Sequence, residues 1–313
     1  MQITAQMVKD LRDKTSVGMM KCKEALVECN GNIEEAVDFL RKKGLASADK
    51  RSGRATSEGI VLPKTTDDRR TAVIVEVNCE TDFVARNDDF AAFANKIADF
   101  VIANPNIKNV DDLEKATIEG QSGEEFRKSM IAVTGENISF GRVERFDIAE
   151  GTHGIFDSYI HGEGSIGVLV QISCENEAAA KHEETVNFAH EVALQAAAMK
   201  PLYTHRKEVP TEALAREKDV ITGQIKNDPK NANKPEDIVN KIIEGRLGKY
   251  YQENCLLEQG YVKDDSKSIN DLADDFSKKV GGKISVVRFR RWALGENNAE
   301  ETTTEEQTNE AAG

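Results

Sequence analysis

The sequence predicts an α+β fold in which one α+β unit is used twice, behind a small module of three helices. Two internal matches and one periodicity carry this prediction. Shifted by 95 residues, positions 59–103 lie on 154–198 without a gap, with 11 identities in 45 positions. Shifted by 146, "NISFGRVERFDIAE" (137–150) lies on "KISVVRFRRWALGE" (283–296), both strand-like and each preceded by a glycine, Gly135 or Gly281. Ahead of both copies, residues 1–44 show the three-to-four-residue apolar spacing of short helices.

In the first 44 residues Thr4 can cap a helix whose apolar positions are Met7, Val8 and Leu11. "TSVG" breaks it. "MMKCKEALVECN" then places Cys22, Ala25, Leu26 and Cys29 on one side, and after "GN" a third helix carries Ile33, Ala36, Val37 and Leu40 before Gly44. Three such helices can bury one small core. Residues 45–58 are small and polar, a linker with a helical start at most. Each repeat copy reads as strand, turn, strand and an Ala-rich amphipathic helix that stops near Pro105 or Pro201. A further strand closes each half.

The shifts differ by 146 − 95 = 51 residues, which measures an insertion in the second copy between Pro201 and Gly281. Leu214, Ile221 and Ile225 give one apolar edge there, and Ile238, Ile242 and Ile243 another, so two antiparallel helices projecting from the body are expected. The expected boundaries are 1–52 for the module and linker, 53–150 and 151–296 for the two related subdomains, and about 205–260 for the helical hairpin. Residues 297–313 are acidic and poor in apolar groups, which reads as a disordered tail.

The chain has 313 residues and a formal charge of −13, which argues against a general grip on nucleic-acid phosphates. It is 39% hydrophobic and 31% charged, with no apolar run long enough for a membrane span and no signal-peptide core at its start. Its five cysteines are an odd number without a C-x-x-C pair, so reduced thiols in a cytoplasmic protein are expected. "GEGSIG" (162–167) fits a dinucleotide pattern, but the strand-like "IGVLVQIS" follows where a helix is required, so it is read as a hairpin turn. His182 and His190 are eight apart and could share a helix face, yet no third ligand is evident and no metal is expected. Alternation places Arg288, Arg290 and Trp292 on one strand face, read as solvated or meeting an acidic partner.

One stretch resists a packing account. In "EVNCETDFVARN" (76–87) both copies share the strand and its Cys-Glu end, then diverge to "TDF" and "NEA". Asp82 faces Glu177, so the acid is kept in kind, while Phe83 faces Ala178. Either Phe83 fills a gap special to the first half, under the N-terminal helices, or it is an exposed ring beside a carboxylate, displayed for a partner.

Two stretches, "LRDKTSVGMMKCKEAL" (11–26) and "EVNCETDFVARN", closely resemble the signatures of the bacterial translation elongation factor Ts family, and the order of parts agrees up to Gly295. The resemblance implies a non-catalytic guanine nucleotide exchange factor that binds elongation factor Tu·GDP, dislocates Mg²⁺ and promotes GDP release and GTP reloading, with no cofactor or metal of its own. It further implies that the N-terminal helices form a ubiquitin-associated-like module. Thr81, Asp82, Phe83 and Val84 would insert beside the partner's Mg²⁺ site, with Phe83 as wedge and Asp82 disturbing the Mg²⁺ network. Arg12, Met19 and Met20 in the first signature are secondary interface candidates, a core role for the methionines being the alternative. No nucleic acid or membrane is expected as a partner, and self-association is left open. Two rivals stand beside this reading: an adaptor that binds through residues 1–50, and an enzyme using Asp82 as acid or base, with or without Glu80.

Overall fold

The computed structural model describes residues 2–228 and 235–296, so the acidic tail and most of the expected hairpin turn lie outside the described residues. The N-terminal helices are α1 (Ala5–Thr15), α2 (Met19–Glu28) and α3 (Ile33–Asp49). Thr4 caps α1 by accepting the Met7 N–H, and Asn32 caps α3 through the N–H groups of Glu34 and Glu35. Their small core is Leu11, Val17, Cys22, Ala25, Leu26, Ala36 and Leu40.

The third helix does not stop at Gly44 but runs five residues further. It does so because Gly44 faces a neighbour rather than solvent. A Cβ there would come 2.4 Å from the Cβ of Ala132, on a helix of the first α+β half. Gly44 therefore sets how closely the two helices approach. Gly44→Ala is expected to destabilise the protein by about 1–3 kcal/mol through overpacking, read by chemical denaturation; an unchanged midpoint would show that the joint yields freely.

The first half then follows as β1 (Glu58–Thr65), β2 (Thr71–Cys79), α4 (Asp82–Ala85), α5 (Asp88–Ala103), α6 (Val110–Lys115), β3 (Thr117–Ile118), β4 (Gln121–Ser122), α7 (Gly123–Thr134) and β5 (Ile138–Asp147). The second half is β6 (His153–His161), β7 (Ile166–Cys174), α8 (Glu177–Lys181), α9 (Glu183–Met199), α10 (Thr211–Asn227), α11 (Glu236–Asn254), β8 (Gly260–Tyr261), β9 (Asp264–Ser268), α12 (Ile269–Val280) and β10 (Ile284–Ala293). The fold is α+β, with a helical N-terminal region. "GEGSIG" lies in the β6–β7 connection, a short 3₁₀ turn with Glu163 at φ 57°.

Each half builds a three-stranded antiparallel sheet with the same strand order, β1-β2-β5 and β6-β7-β10. Both sheets are irregular at the same place in the repeat. Gly141 and Arg142 of β5 lie between the partners of Val75 and Val77, and Val287 is the extra residue of β10, between the partners of Gln171 and Ile172. One face of each sheet is covered by its own helices: Val73, Val75 and Val77 meet α5, while Val168, Val170 and Ile172 meet α9. The opposite faces meet each other around Val61, Ile74, Phe156, Leu169 and Trp292. Period-two alternation sorts the strand residues between these two cores.

That sheet-on-sheet layer corrects the reading of the Arg288–Trp292 face at its Trp292 end. Trp292 is buried, its indole lies 4.4 Å under the Arg142 guanidinium, and Arg288 and Arg290 both lie over the Phe146 ring. Alternation assigned the face correctly; β5 of the other half covers Trp292 and gives Arg290 its partner Glu144 at 2.8 Å, while Arg288 stays exposed as expected. His182 and His190 do not share a helix face. His182 sits between α8 and α9 and caps the latter, while His190 Nδ1 lies 3.2 Å from Asp157. Helices α10 and α11 pack around Ile221, Ile225 and Ile243, whereas Ile238, expected at that seam, is exposed.

All five cysteines are free, and four are buried. Burial pushes the Cys79 thiol up to about 12 and those of Cys174 and Cys255 up to about 11, from a usual 9.0. The folded state thus holds protons that the unfolded state releases above pH 9. Stability from these groups is intact below about pH 9 and falls as pH rises towards 11–12. A urea-midpoint series from pH 8 to 11 should decline at its alkaline end; a flat series would contradict this.

Candidate functional site

Strand β2 ends at Cys79, and the next residue joins the layers. Glu80 accepts the N–H of Asn137 at 2.6 Å and the Arg54 guanidinium at 3.3 Å. Its repeat counterpart Glu175 accepts the N–H of Lys283 at 2.8 Å. Asn137 and Lys283 are themselves counterparts at the 146-residue shift, so both glutamates perform one structural task. Glu80 thereby pins the third strand of its sheet.

Thr81 is the N-cap of the single-turn helix α4. Its hydroxyl accepts the Val84 N–H at 3.4 Å and donates to Glu136 Oε1 at 2.7 Å, while its own N–H donates to Glu136 Oε2 at 3.0 Å. Glu136 follows Gly135, whose φ of 82° lets the chain leave α7 sharply. The Cys79 thiol donates to the Thr81 carbonyl at 3.2 Å. A short turn that isolated peptides would not hold is thus fixed at its first residue from three sides.

With Thr81 fixed, helix geometry decides the rest. Val84 and Ala85 turn inward onto the first core, and Asp82 and Phe83 turn outward. Phe83 is 83% exposed, the highest value among the exposed large apolar side chains of the described residues. Asp82, in the first turn of α4 where a negative charge suits the helix N-terminus, keeps a half-exposed carboxylate 3.6 Å from Arg86 Nη1. Arg86 Nε reaches 3.2 Å to Glu163 in the β6–β7 turn, a bridge between the halves.

The second half repeats the parts that folding requires. Asn176 caps α8 through the Ala179 N–H at 2.8 Å, and Glu177 pairs with Lys181 at 2.6 Å as Asp82 pairs with Arg86. Ala178 is exposed in the place of Phe83. The gap-filling account of Phe83 is therefore wrong. The ring lies outside its own core, forgoing the roughly 1.5–3 kcal/mol that burial of a large apolar side chain brings.

Met19 and Met20 are 59% and 70% exposed, and Arg12 is exposed on α1. Cys22, Ala25 and Leu26 supply the buried side of α2 instead. Lys21 Nζ donates to the Ala132 carbonyl at 3.2 Å. That bond sets the start of α2 beside the end of α7, four residues before the glutamate that holds Thr81. Sequence reasoning missed Glu136, Arg86 and Glu163. The 146-residue match did contain a signal for the first, since Glu136 falls opposite Gly282.

Among the described residues no group of three or more His, Cys, Asp or Glu side chains could hold a metal ion, and no helix is long and apolar enough to cross a membrane. A family model described as elongation factor TS matches residues 80–296. An elongation factor Ts of Clostridium perfringens is 43% identical over 295 residues, covering 94% of this chain and 93% of the relative. One from Nostoc punctiforme is 42% identical over 296 residues, covering 94% and 93%. One from Prosthecochloris aestuarii is 41% identical over 297 residues, covering 94% and 99%.

Proposed function

Because this chain belongs to the elongation factor Ts family, we propose that it is a guanine nucleotide exchange factor for elongation factor Tu, acting in the cytoplasm during translation elongation. The observation that carries the reading is the outward-turned pair Asp82 and Phe83 on a capped, clamped turn, with the ring 83% exposed.

Exchange needs no chemistry from the factor. A GTPase holds GDP largely through Mg²⁺ and phosphate-cradling amides, so release follows when the factor binds the nucleotide-free state better than the loaded one. Reciprocity then requires that the factor weaken GDP by the ratio in which GDP weakens the factor. Phe83 enters between helices of the partner, and Val84, turned inward, backs the turn that presents it. Asp82 arrives with it and competes for the water and side-chain network around the partner's Mg²⁺. Its pairing with Arg86 is near the surface and worth little in solvent, so it can be given up on docking. Thr81 fixes the direction of approach.

A shift of about 10⁴ in the nucleotide equilibrium would need roughly 5.5 kcal/mol of differential contact. One ring supplies roughly 1.5–3 kcal/mol on burial. The remainder falls to a wider surface, for which the exposed Arg12, Met19 and Met20 are the candidates. Stopped-flow release of a fluorescent GDP from elongation factor Tu tests the function as a whole. Micromolar amounts of this chain should accelerate release strongly, and release at the intrinsic rate would remove the reading. Residues 1–50 alone should bind the partner far more weakly than the full chain, the reverse of what an adaptor working through that module would do.

A further inference from the structure

We infer that Glu136 is a positioning residue for exchange: its carboxylate holds Thr81 so that the Asp82–Phe83 turn is ordered before the partner arrives. The inference rests on the proposed role of that turn and adds to it a residue from a different element.

The internal repeat acts as a control built into the molecule. Whatever the fold needs at this corner should be present in both halves. The N-cap, the acid–base pair on the short helix and the glutamate that pins the third strand are all present twice. Among the described residues the carboxylate clamp is present once. The counterpart of Glu136 is Gly282, and a Cβ on Gly282 would come 2.8 Å from the side-chain nitrogen of Asn176, the counterpart of Thr81. The second half thus closes the same corner with no side chain at that position. Among the described residues, only the half that carries an exposed ring spends a carboxylate on its cap.

The hydrogen bonds explain what the clamp adds. A threonine hydroxyl has one proton and two lone pairs. Glu136 Oε1 takes the proton at 2.7 Å, which leaves a lone pair directed at the Val84 N–H, and Oε2 takes the Thr81 N–H at 3.0 Å. Both bonds are charge-assisted, the stronger class. Without them the turn would have to be ordered as the wedge enters. Fixing one residue's backbone is equivalent to roughly a tenfold factor. That loss falls on the step in which bound partner yields its nucleotide, after first contact.

The test uses the full chain with the GTPase partner loaded with fluorescent GDP, the release rate being followed against factor concentration. Glu136→Ala should lower the maximal release rate about tenfold with little change in the half-saturating concentration. Glu136→Gln, which keeps one acceptor oxygen, should recover part of the rate. Amide exchange at Thr81 and Val84 should quicken in Glu136→Ala, while amides of β2 keep their protection. An unchanged maximal rate in Glu136→Ala, alongside a large loss in Phe83→Ala, would overturn the positioning role and leave the wedge standing. No loss in either variant would overturn both. Should Glu136→Ala fold poorly, Glu136→Gln alone decides: a full rate with quickened exchange at Thr81 would also overturn the inference.

Discussion

Phe83→Ala is expected to slow factor-stimulated GDP release by roughly ten- to a hundredfold, the factor that corresponds to about 1.5–3 kcal/mol of lost ring burial. The folded protein should scarcely notice. The ring is 83% exposed and lies outside every apolar core of the described residues, and substitutions at such sites usually fall within about 0.5 kcal/mol. The repeat supplies the precedent, because Ala178 already occupies the matching place on α8. Function and stability should therefore separate cleanly in this variant, as read by stopped-flow release beside urea denaturation. A variant that melted early would return Phe83 to a packing role. Asp82→Ala should show a smaller loss, since a half-exposed carboxylate contributes through the partner's ion network rather than through buried area.

The second large effect is expected on stability. Glu76→Ala removes the acid at the centre of a buried polar cluster between the two sheets. Its carboxylate receives Arg142 Nε at 2.6 Å and Asn78 Nδ2 at 2.9 Å, and the side chains of Glu76 and Arg142 are only 5% and 16% exposed. Arg142 also reaches the Ala293 carbonyl at 3.0 Å and lies on Trp292, so it ties β5 to the end of β10. The sheet irregularity at Gly141 brings this about. A Cβ there would come 2.4 Å from Asn78 Oδ1, so glycine makes room for the cluster. Leaving Arg142 buried without its carboxylate should cost about 3–5 kcal/mol. A loss under about 1 kcal/mol would mean that water or a neighbouring group replaces the carboxylate. Exchange activity of the fraction still folded should stay normal, because this cluster is remote in role from the displayed turn.

How much of this was legible beforehand depended on whether a residue's partner is local or distant. The three N-terminal helices and the duplicated strand–strand–helix pattern were readable because periodicity and self-similarity are properties of the chain alone. The course of α3 beyond Gly44 was not, since a distant helix at Ala132 makes that glycine a contact rather than a stop. Arg288, Arg290 and Trp292 were placed on the right face, but the burial of Trp292 was not foreseen, because the sheet that covers it comes from the other half. At the candidate site, the contrast between Phe83 and Ala178 marked the ring as dispensable for folding, and its exposure in the structure agrees with that contrast. The single-turn helix was invisible, and its Glu136 clamp left only the contrast with Gly282 as a trace. A four-residue helix has no period to detect, and the clamp joins positions 55 residues apart.

The central claim is that the ring of Phe83 leaves water for the interior of the partner when nucleotide is displaced. Fluorine NMR of a chain carrying 4-fluorophenylalanine at position 83 tests it most directly, with a soluble paramagnetic agent reporting exposure. The account predicts a strongly broadened signal in the free chain that moves and becomes protected in the nucleotide-free complex with elongation factor Tu. A signal that stays equally accessible in a complex shown to be formed would contradict it.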